Sequence, residues 1–338
     1  MRLIEKAWYQ NHPIKWLLLP LNVLFYMLSA LRRLLFRLKV LKQPPLTVPV
    51  VIVGNIGVGG NGKTPMVVYL VEQLKKRNVN VGVISRGYGG EKQQQPLLLN
   101  KDTTAVQAGD EPVLIYQRCN IPVVVSPDRV AAVKLLQQQG CSLIISDDGL
   151  QHYRLKRDVE LVVVDGTRRF GNGWLMPAGP LREGLWRLKS VDKVIVNGGL
   201  ADVGEAHMYL QAKQLVNLQS GAAINIDEFK QSHNTVVQAF AGIGDPQRFF
   251  NTVTELGFQI ELKTGFVDHH QFSEQYFKPY IDTLSSGIPL LMTEKDAVKC
   301  RSFAPDNCWY LPVDAQFDDN QGEQLIDLII TRCKHYGI

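Results

Sequence analysis

Val50-Val51-Ile52-Val53-Gly54-Asn55-Ile56-Gly57-Val58-Gly59-Gly60-Asn61-Gly62-Lys63-Thr64-Pro65 is the stretch of this 338-residue chain whose reading decides the fold. Its first four residues are an unbroken β-branched run bounded by Pro49 and Gly54, the pattern of a short strand buried on both faces. Gly57 to Thr64 fits G-x-x-x-x-G-K-[ST], and Pro65 to Lys76 reads as a helix. A glycine-rich turn set between buried strand and helix is the context of a P-loop. Gly57, Val58, Gly59, Gly60, Asn61 and Gly62 would let backbone N–H groups curl around phosphates; Lys63 would reach the β and γ phosphates and Thr64 would offer its hydroxyl to Mg2+. A nucleoside triphosphate is therefore expected, with its fate undecided.

Outward from this motif the same beat repeats. Strands are predicted over 79–85, 122–125, 142–147, 160–165 and 193–197, with helices over 111–118 and 128–139 between them, which indicates a parallel sheet covered by helices on both faces. A second, smaller α/β lobe follows, with strands over 236–241, 259–264 and 288–292 and helices over 246–255 and 273–285. The expected division is an arm over 1–48, a nucleotide-binding lobe over 49–200 and an acceptor lobe over 201–338.

Charge separates the arm from the body. Residues 1–48 carry eight Lys or Arg against Glu5 alone, a balance of +7, whereas the whole chain is +5 and the remainder therefore −2. A basic arm on a nearly neutral body argues against a nucleic-acid groove across the molecule. The apolar run Trp16 to Leu31 is short for a membrane span and is interrupted by Pro20 and Asn22; Arg32, Arg33, Arg37 and Lys39 follow it. With Trp8, Tyr9 and Trp16 at hand, the arm reads as a monotopic helix on an anionic lipid surface, the alternative being a helix packed on the protein's own core. No A-x-A-like cleavage site follows the run, and the five scattered cysteines form no C-x-x-C pair, so a reducing, cytosolic setting is expected.

A P-loop needs an acid at the end of a neighbouring strand. Asp147 and Asp148, which lead into Gly149-Leu150-Gln151-His152, are favoured; Asp165 competes, or else caps its strand end. Asp110, in Gly109-Asp110-Glu111-Pro112, and the histidines of Asp268-His269-His270 suggest a carboxylate base oriented by imidazole, drawn from two lobes. Arginines of Ser85-Arg86-Gly87-Tyr88-Gly89, Ser126-Pro127-Asp128-Arg129 and 168–183 would bind phosphate, or merely be solvated. Glu183 would be a further metal ligand or the ion-pair partner of Arg182. Thr293-Glu294-Lys295-Asp296 raises a guanine reader, although its spacing departs from N-K-x-D.

A basic apolar N-terminus, VGNIGVGGNGKTP, SRGYG, GDEP, SPDR, DDGLQH, GPLRE, DHH and TEKDAVK occur in one order across almost the whole chain. The set strongly resembles the tetraacyldisaccharide 4'-kinase family of Gram-negative lipid A synthesis. The resemblance implies transfer of the ATP γ-phosphoryl to the 4'-hydroxyl of a tetraacylated glucosamine disaccharide 1-phosphate, giving lipid IVA. It further implies two α/β/α lobes, an N-terminal membrane helix, and a peripheral or monotopic place on the cytoplasmic face of the inner membrane, with no obligate protein partner. By motif matching it makes Lys63 and Thr64 P-loop ligands, Asp147 and Asp148 the acids of the metal strand, and Asp110 the base paired with His269, His270 being the alternative. Tyr88, Arg129, Gln151, His152, Arg182 and Glu183 become active-site positions, with Arg182 catalytic and Glu183 a metal contact. The rival from another class is a membrane-tethered P-loop switch or export ATPase, which would hydrolyse ATP without a lipid acceptor.

Overall fold

The computed structural model describes residues 3–338 except 11, 234, 282, 283, 285 and 286. Three arm helices come first, α1 (Leu3–Tyr9), α2 (Ile14–Leu17) and α3 (Leu19–Arg37). The first lobe continues with β1 (Val50–Gly54), α4 (Lys63–Lys76), β2 (Val81–Ser85), β3 (Leu97–Leu98), α5 (Ala105–Ala108), α6 (Asp110–Cys119), β4 (Val123–Val125), α7 (Arg129–Gln138), β5 (Leu143–Asp147), β6 (Val159–Asp165), β7 (Lys193–Asn197) and β8 (Ala206–Gln211). Next come β9 (Gln214–Asn217), β10 (Ala223–Asn225), α8 (Ile226–Ser232), β11 (Val236–Ala241), α9 (Pro246–Glu255), β12 (Gln259–Gly265), β13 (Leu290–Thr293), α10 (Glu294–Cys300) and β14 (Cys308–Leu311). The chain closes with β15 (Asp314–Phe317) and α11 (Gln321–Cys333).

Nine strands form the first sheet in the order β15-β8-β7-β6-β1-β5-β2-β4-β3, parallel except for β3 and β15 at its edges. The β1 run works as its sequence predicts. Alternate residues face opposite layers, Val51 and Val53 joining the core under α4, α6 and α11, while Val50 and Ile52 join that under α7. The second sheet, β10-β9-β14-β13-β11-β12, packs α8 and α9 on one face and the Phe240, Phe277 and Tyr280 cluster on the other.

Two expectations change. A boundary at residue 200 assigns everything downstream to the second lobe, yet β8, β15 and α11 belong to the first, leaving the second lobe to β9 through β14. The chain therefore crosses between lobes twice, along the antiparallel β8–β15 pair. Pro20 does not interrupt the arm: it lies in the first turn of α3, where its missing N–H costs no hydrogen bond, and the helix runs unbroken to Arg37. Over 273–285, a 3-10 helix covers Glu274–Tyr280, and most of the remainder lies outside the described residues. All five cysteines are buried free thiols.

α3 is no core helix. None of its residues is fully buried, and Leu21, Leu24, Leu28 and Leu31 are more than half exposed. Its inner face touches the body where Asn22 Nδ2 donates to the Leu175 carbonyl, Arg33 lies over the Trp186 ring and Phe36 stacks on Tyr153.

Candidate active site

β1 delivers the chain into the glycine loop, and α4 begins at Lys63. Gly62 has φ +91°, and a Cβ there would overlap the Asn197 carboxamide at the end of β7. Only glycine meets both demands. Asn197 Nδ2 donates to the Asn61 carbonyl (3.2 Å), while on the other side Val58 N–H donates to the Pro180 carbonyl (2.9 Å). The loop is thus held from behind and from the side, leaving the N-terminus of α4 in front of it.

The two acids after β5 have opposite environments. Asp147 is 0% exposed and neither carboxylate oxygen has a hydrogen-bond partner; burial and the charge of Glu111 push its pKa up, against Lys63. Asp148, at φ +47°, takes a two-pronged contact from Arg182 (3.0 and 2.8 Å) and lies 3.6 Å from Lys63 Nζ. Burial would raise Asp148, but these cations hold it down at about 2. Asp165 is the strand-end cap: its Oδ1 accepts from the N–H groups of Thr167 and Arg168 and its Oδ2 pairs with Arg248.

The neighbouring loops alter several expected roles. Arg129 is buried and donates to the Ile84 carbonyl, Ser146 Oγ and the Asp147 carbonyl, so it braces β2 against β5 instead of facing a phosphate. Glu183 is buried as well, receiving the Tyr153 hydroxyl, with Arg187 Nε 3.6 Å away and Gln151 Nε2 at 3.5 Å. Its ion-pair partner is Arg187, four residues on, and its oxygens are engaged by the chain itself, which does not fit the expected metal contact. Among the described residues no three His, Cys, Asp or Glu side chains converge as a metal cage. Gln151 Nε2 donates to the Asn55 carbonyl (3.1 Å), and the Asn55 carboxamide is buried with no partner. Burial, with Arg129 and Arg157, lowers His152 to about 4, so its imidazole is neutral.

A second cluster joins the lobes. Asp110 is the first residue of α6 and 3% exposed. Gly109 before it has φ +90°, and a Cβ there would lie 2.7 Å from the Tyr88 carbonyl, which nests the Gly87–Gly90 loop against this turn. From the second lobe, His269 Nδ1 lies 3.1 Å from both Asp110 oxygens, and the Tyr88 ring, itself 70% exposed, sits 5.0 Å from the imidazole. Burial would raise Asp110, but the hydrogen bond from His269 and the charges of Lys295 and Lys299 outweigh it and hold its pKa below the ordinary value. The same hydrogen bond raises His269 against burial. His270 instead packs among Phe266, Phe272 and Tyr276. Thr293 and Asp296 cap α10 and fasten Gly242, so the aspartate that a guanine reader would need is engaged by the chain itself.

Both clusters meet across one residue: a Cβ on Gly244 of the second lobe would lie 3.8 Å from Gly60 N and 3.7 Å from Asp268 Oδ2. Sequence reasoning missed Asn55, Tyr153 and Asn197, weighed Lys295 only within a guanine reader, and attached no chemistry to Lys299. Their signal was membership of the quoted motifs for Asn55, Lys295 and Lys299; Tyr153 and Asn197 carried none.

The arrangement has relatives. The family model for tetraacyldisaccharide-1-P 4'-kinase, LpxK, matches residues 14–331. A tetraacyldisaccharide 4'-kinase of Colwellia psychrerythraea is 54% identical over 337 residues, covering 97% of each chain. The crystal structure of LpxK from Aquifex aeolicus in complex with ATP superposes with a TM-score of 0.79 at 28% identity, over 95% of this chain and 99% of that one. Matched by that family model over most of its length and by a relative 54% identical across 97% of it, the chain belongs to the tetraacyldisaccharide-1-phosphate 4'-kinase family.

Proposed function

We propose that the protein transfers the γ-phosphoryl of ATP to the 4'-hydroxyl of a tetraacyldisaccharide 1-phosphate, as its family name describes, with Asp110 taking the hydroxyl proton. The single observation that carries this reading is the His269–Asp110 pair, a buried ionised carboxylate of the P-loop lobe with an imidazole of the second lobe holding both its oxygens. A switch that only hydrolyses nucleotide has no need of a second lobe that completes such a pair.

The acceptor oxygen would attack the γ phosphorus as the bond to the β–γ bridging oxygen breaks, ADP leaves and the proton passes to Asp110. Little covalent help is required, so acceleration comes from positioning and charge. Lys63 and the loop N–H groups hold the phosphates. Arg182 is oriented by Asp148 and stands ready for charge on the transferred group. Mg2+ would be held by Thr64 and by Asp147, whose unpartnered buried oxygens fit a cation, and would neutralise phosphate charge. Gln151, through the Asn55 carbonyl, and neutral His152 shape the wall beneath.

The acceptor carries four acyl chains and stays in the bilayer, so a P-loop lobe must reach it at the surface. The exposed leucines of α3, followed by Arg32, Arg33 and Arg37, support a helix lying in the inner leaflet on the cytoplasmic side, held by apolar burial and anionic lipid. The test is label transfer from γ-labelled ATP with Mg2+ to the disaccharide in mixed micelles. Label in the lipid is expected; release as free phosphate, equally fast without acceptor, would overturn the reading in favour of an NTPase.

A further inference from the structure

Two lysines of the second lobe stand beside Asp110 and take no part in the chemistry above. Both lie on α10. Lys295 Nζ is 4.0 Å from Asp110 Oδ2, 3.2 Å from Glu111 Oε1 and 3.1 Å from Asp268 Oδ1; Lys299 Nζ is 3.8 Å from Asp110 Oδ2 and 2.8 Å from Asp296 Oδ1. Their side chains are only 17% and 9% exposed, so these are not solvated surface cations. The helix is itself pinned. Thr293 caps it, Asp296 accepts from Gly242 N–H, and at its start Glu294 receives Arg118 (2.7 Å), which also pairs with Asp314 where β15 begins. Arg118 lies in the last turn of α6, whose first residue is Asp110, so the two helices are joined at both ends of α6.

A carboxylate so buried takes up a proton unless cations face it, and a protonated Asp110 accepts nothing. The facing groups are Glu111 on its own helix, His269 and Asp268 from the loop after β12, and Lys295, Lys299 and Asp296 from α10. Four carboxylates thus share two lysines and one imidazole. Removing either lysine leaves Asp110 among uncompensated negative charge. We propose that Lys295 and Lys299 are positioning residues for phosphoryl transfer, the pair through which the second lobe keeps the Asp110 carboxylate charged and aimed at the acceptor. This rests on the reading of Asp110 as the base.

The experiment measures kcat and KM from pH 5 to 9 on the full-length protein in mixed micelles, for the parent, Lys295→Met, Lys295→Arg, Lys299→Met and Asp110→Asn. In Lys295→Met the acid limb of kcat, which the parent keeps below the measured window, should rise into it as burial prevails, with a loss of about tenfold at about pH 5 that recovers above about pH 7 and KM for ATP unchanged. Lys295→Arg should restore the parent's limb. A Lys295→Met protein with the parent's limb, or one altered only in KM for ATP, would overturn the proposal. Should Lys299→Met fail to fold, Lys295→Met decides alone, since its ammonium bridges the lobes at their junction. Asp110→Asn separates the two ideas. If it turns over like the parent, the base reading falls; if it is inactive while Lys295→Met keeps the parent's limb, only the lysine proposal falls.

Discussion

Asp147 and Asp148 are adjacent in sequence and opposite in chemistry. Asp148 is neutralised by Arg182 and Lys63, whereas Asp147 is enclosed with both oxygens unpaired. An unpaired buried carboxylate destabilises the nucleotide-free protein, since it has lost water and gained no partner. Burial raises Asp147 from 3.8 to about 7, so the folded state binds a proton that the unfolded chain releases nearer pH 4. The stability this supplies is complete below the unfolded value and is lost as pH rises through the folded one. Asp147→Asn should therefore be more stable to unfolding than the parent at about pH 8, by about 1–3 kcal/mol, with the gap narrowing toward about pH 5. Calorimetry without nucleotide or Mg2+ checks this; phosphoryl transfer by the same variant should be lost.

At the scale of elements, the C-terminal ends of the parallel strands place the site and buried polar groups hold those ends in register. Arg129 is the clearest brace, joining the ends of β2 and β5 from the first turn of α7. Arg129→Met would leave two carbonyls and a hydroxyl unsatisfied in the interior. A loss of about 3 kcal/mol in urea melts is expected, with activity falling in proportion to the folded fraction. Retained stability with lost turnover would return Arg129 to the phosphate-binding role its motif suggested. Its position in Ser126-Pro127-Asp128-Arg129 was plain in the sequence; its direction was not, because one helical residue faces solvent or sheet according to packing that a single chain does not display.

For the whole molecule, the arm and the lobes divide the labour. α3 meets the body through a few side chains near Tyr153, Leu175 and Trp186, and the Asn197 brace of the P-loop involves none of them. Deleting residues 1–40 should abolish partition onto anionic vesicles while nucleotide binding persists, as followed by sedimentation and by calorimetric titration with ATP. Unchanged vesicle binding would mean that the body itself carries the lipid contact.

What the sequence by itself determined was whatever depends on neighbours along the chain. The buried β1 run, the glycine turn and the helix that follows specify a P-loop locally, because strand period, positive φ and helix start are short-range demands. The ordered motifs likewise carried the family, and the charge division marked the arm. Only the tertiary structure decided what depends on distant segments. It chose His269 over His270, gave Asp148 to Arg182 and left Asp147 open, turned Glu183 toward Tyr153 and Arg187, and brought Lys295 and Lys299 to Asp110. It also returned β15 and α11 to the first lobe. For the side chains the physical reason is common: a charged group takes its role from the opposite charges and the burial around it, and, Arg187 apart, those were supplied by segments tens to hundreds of residues away.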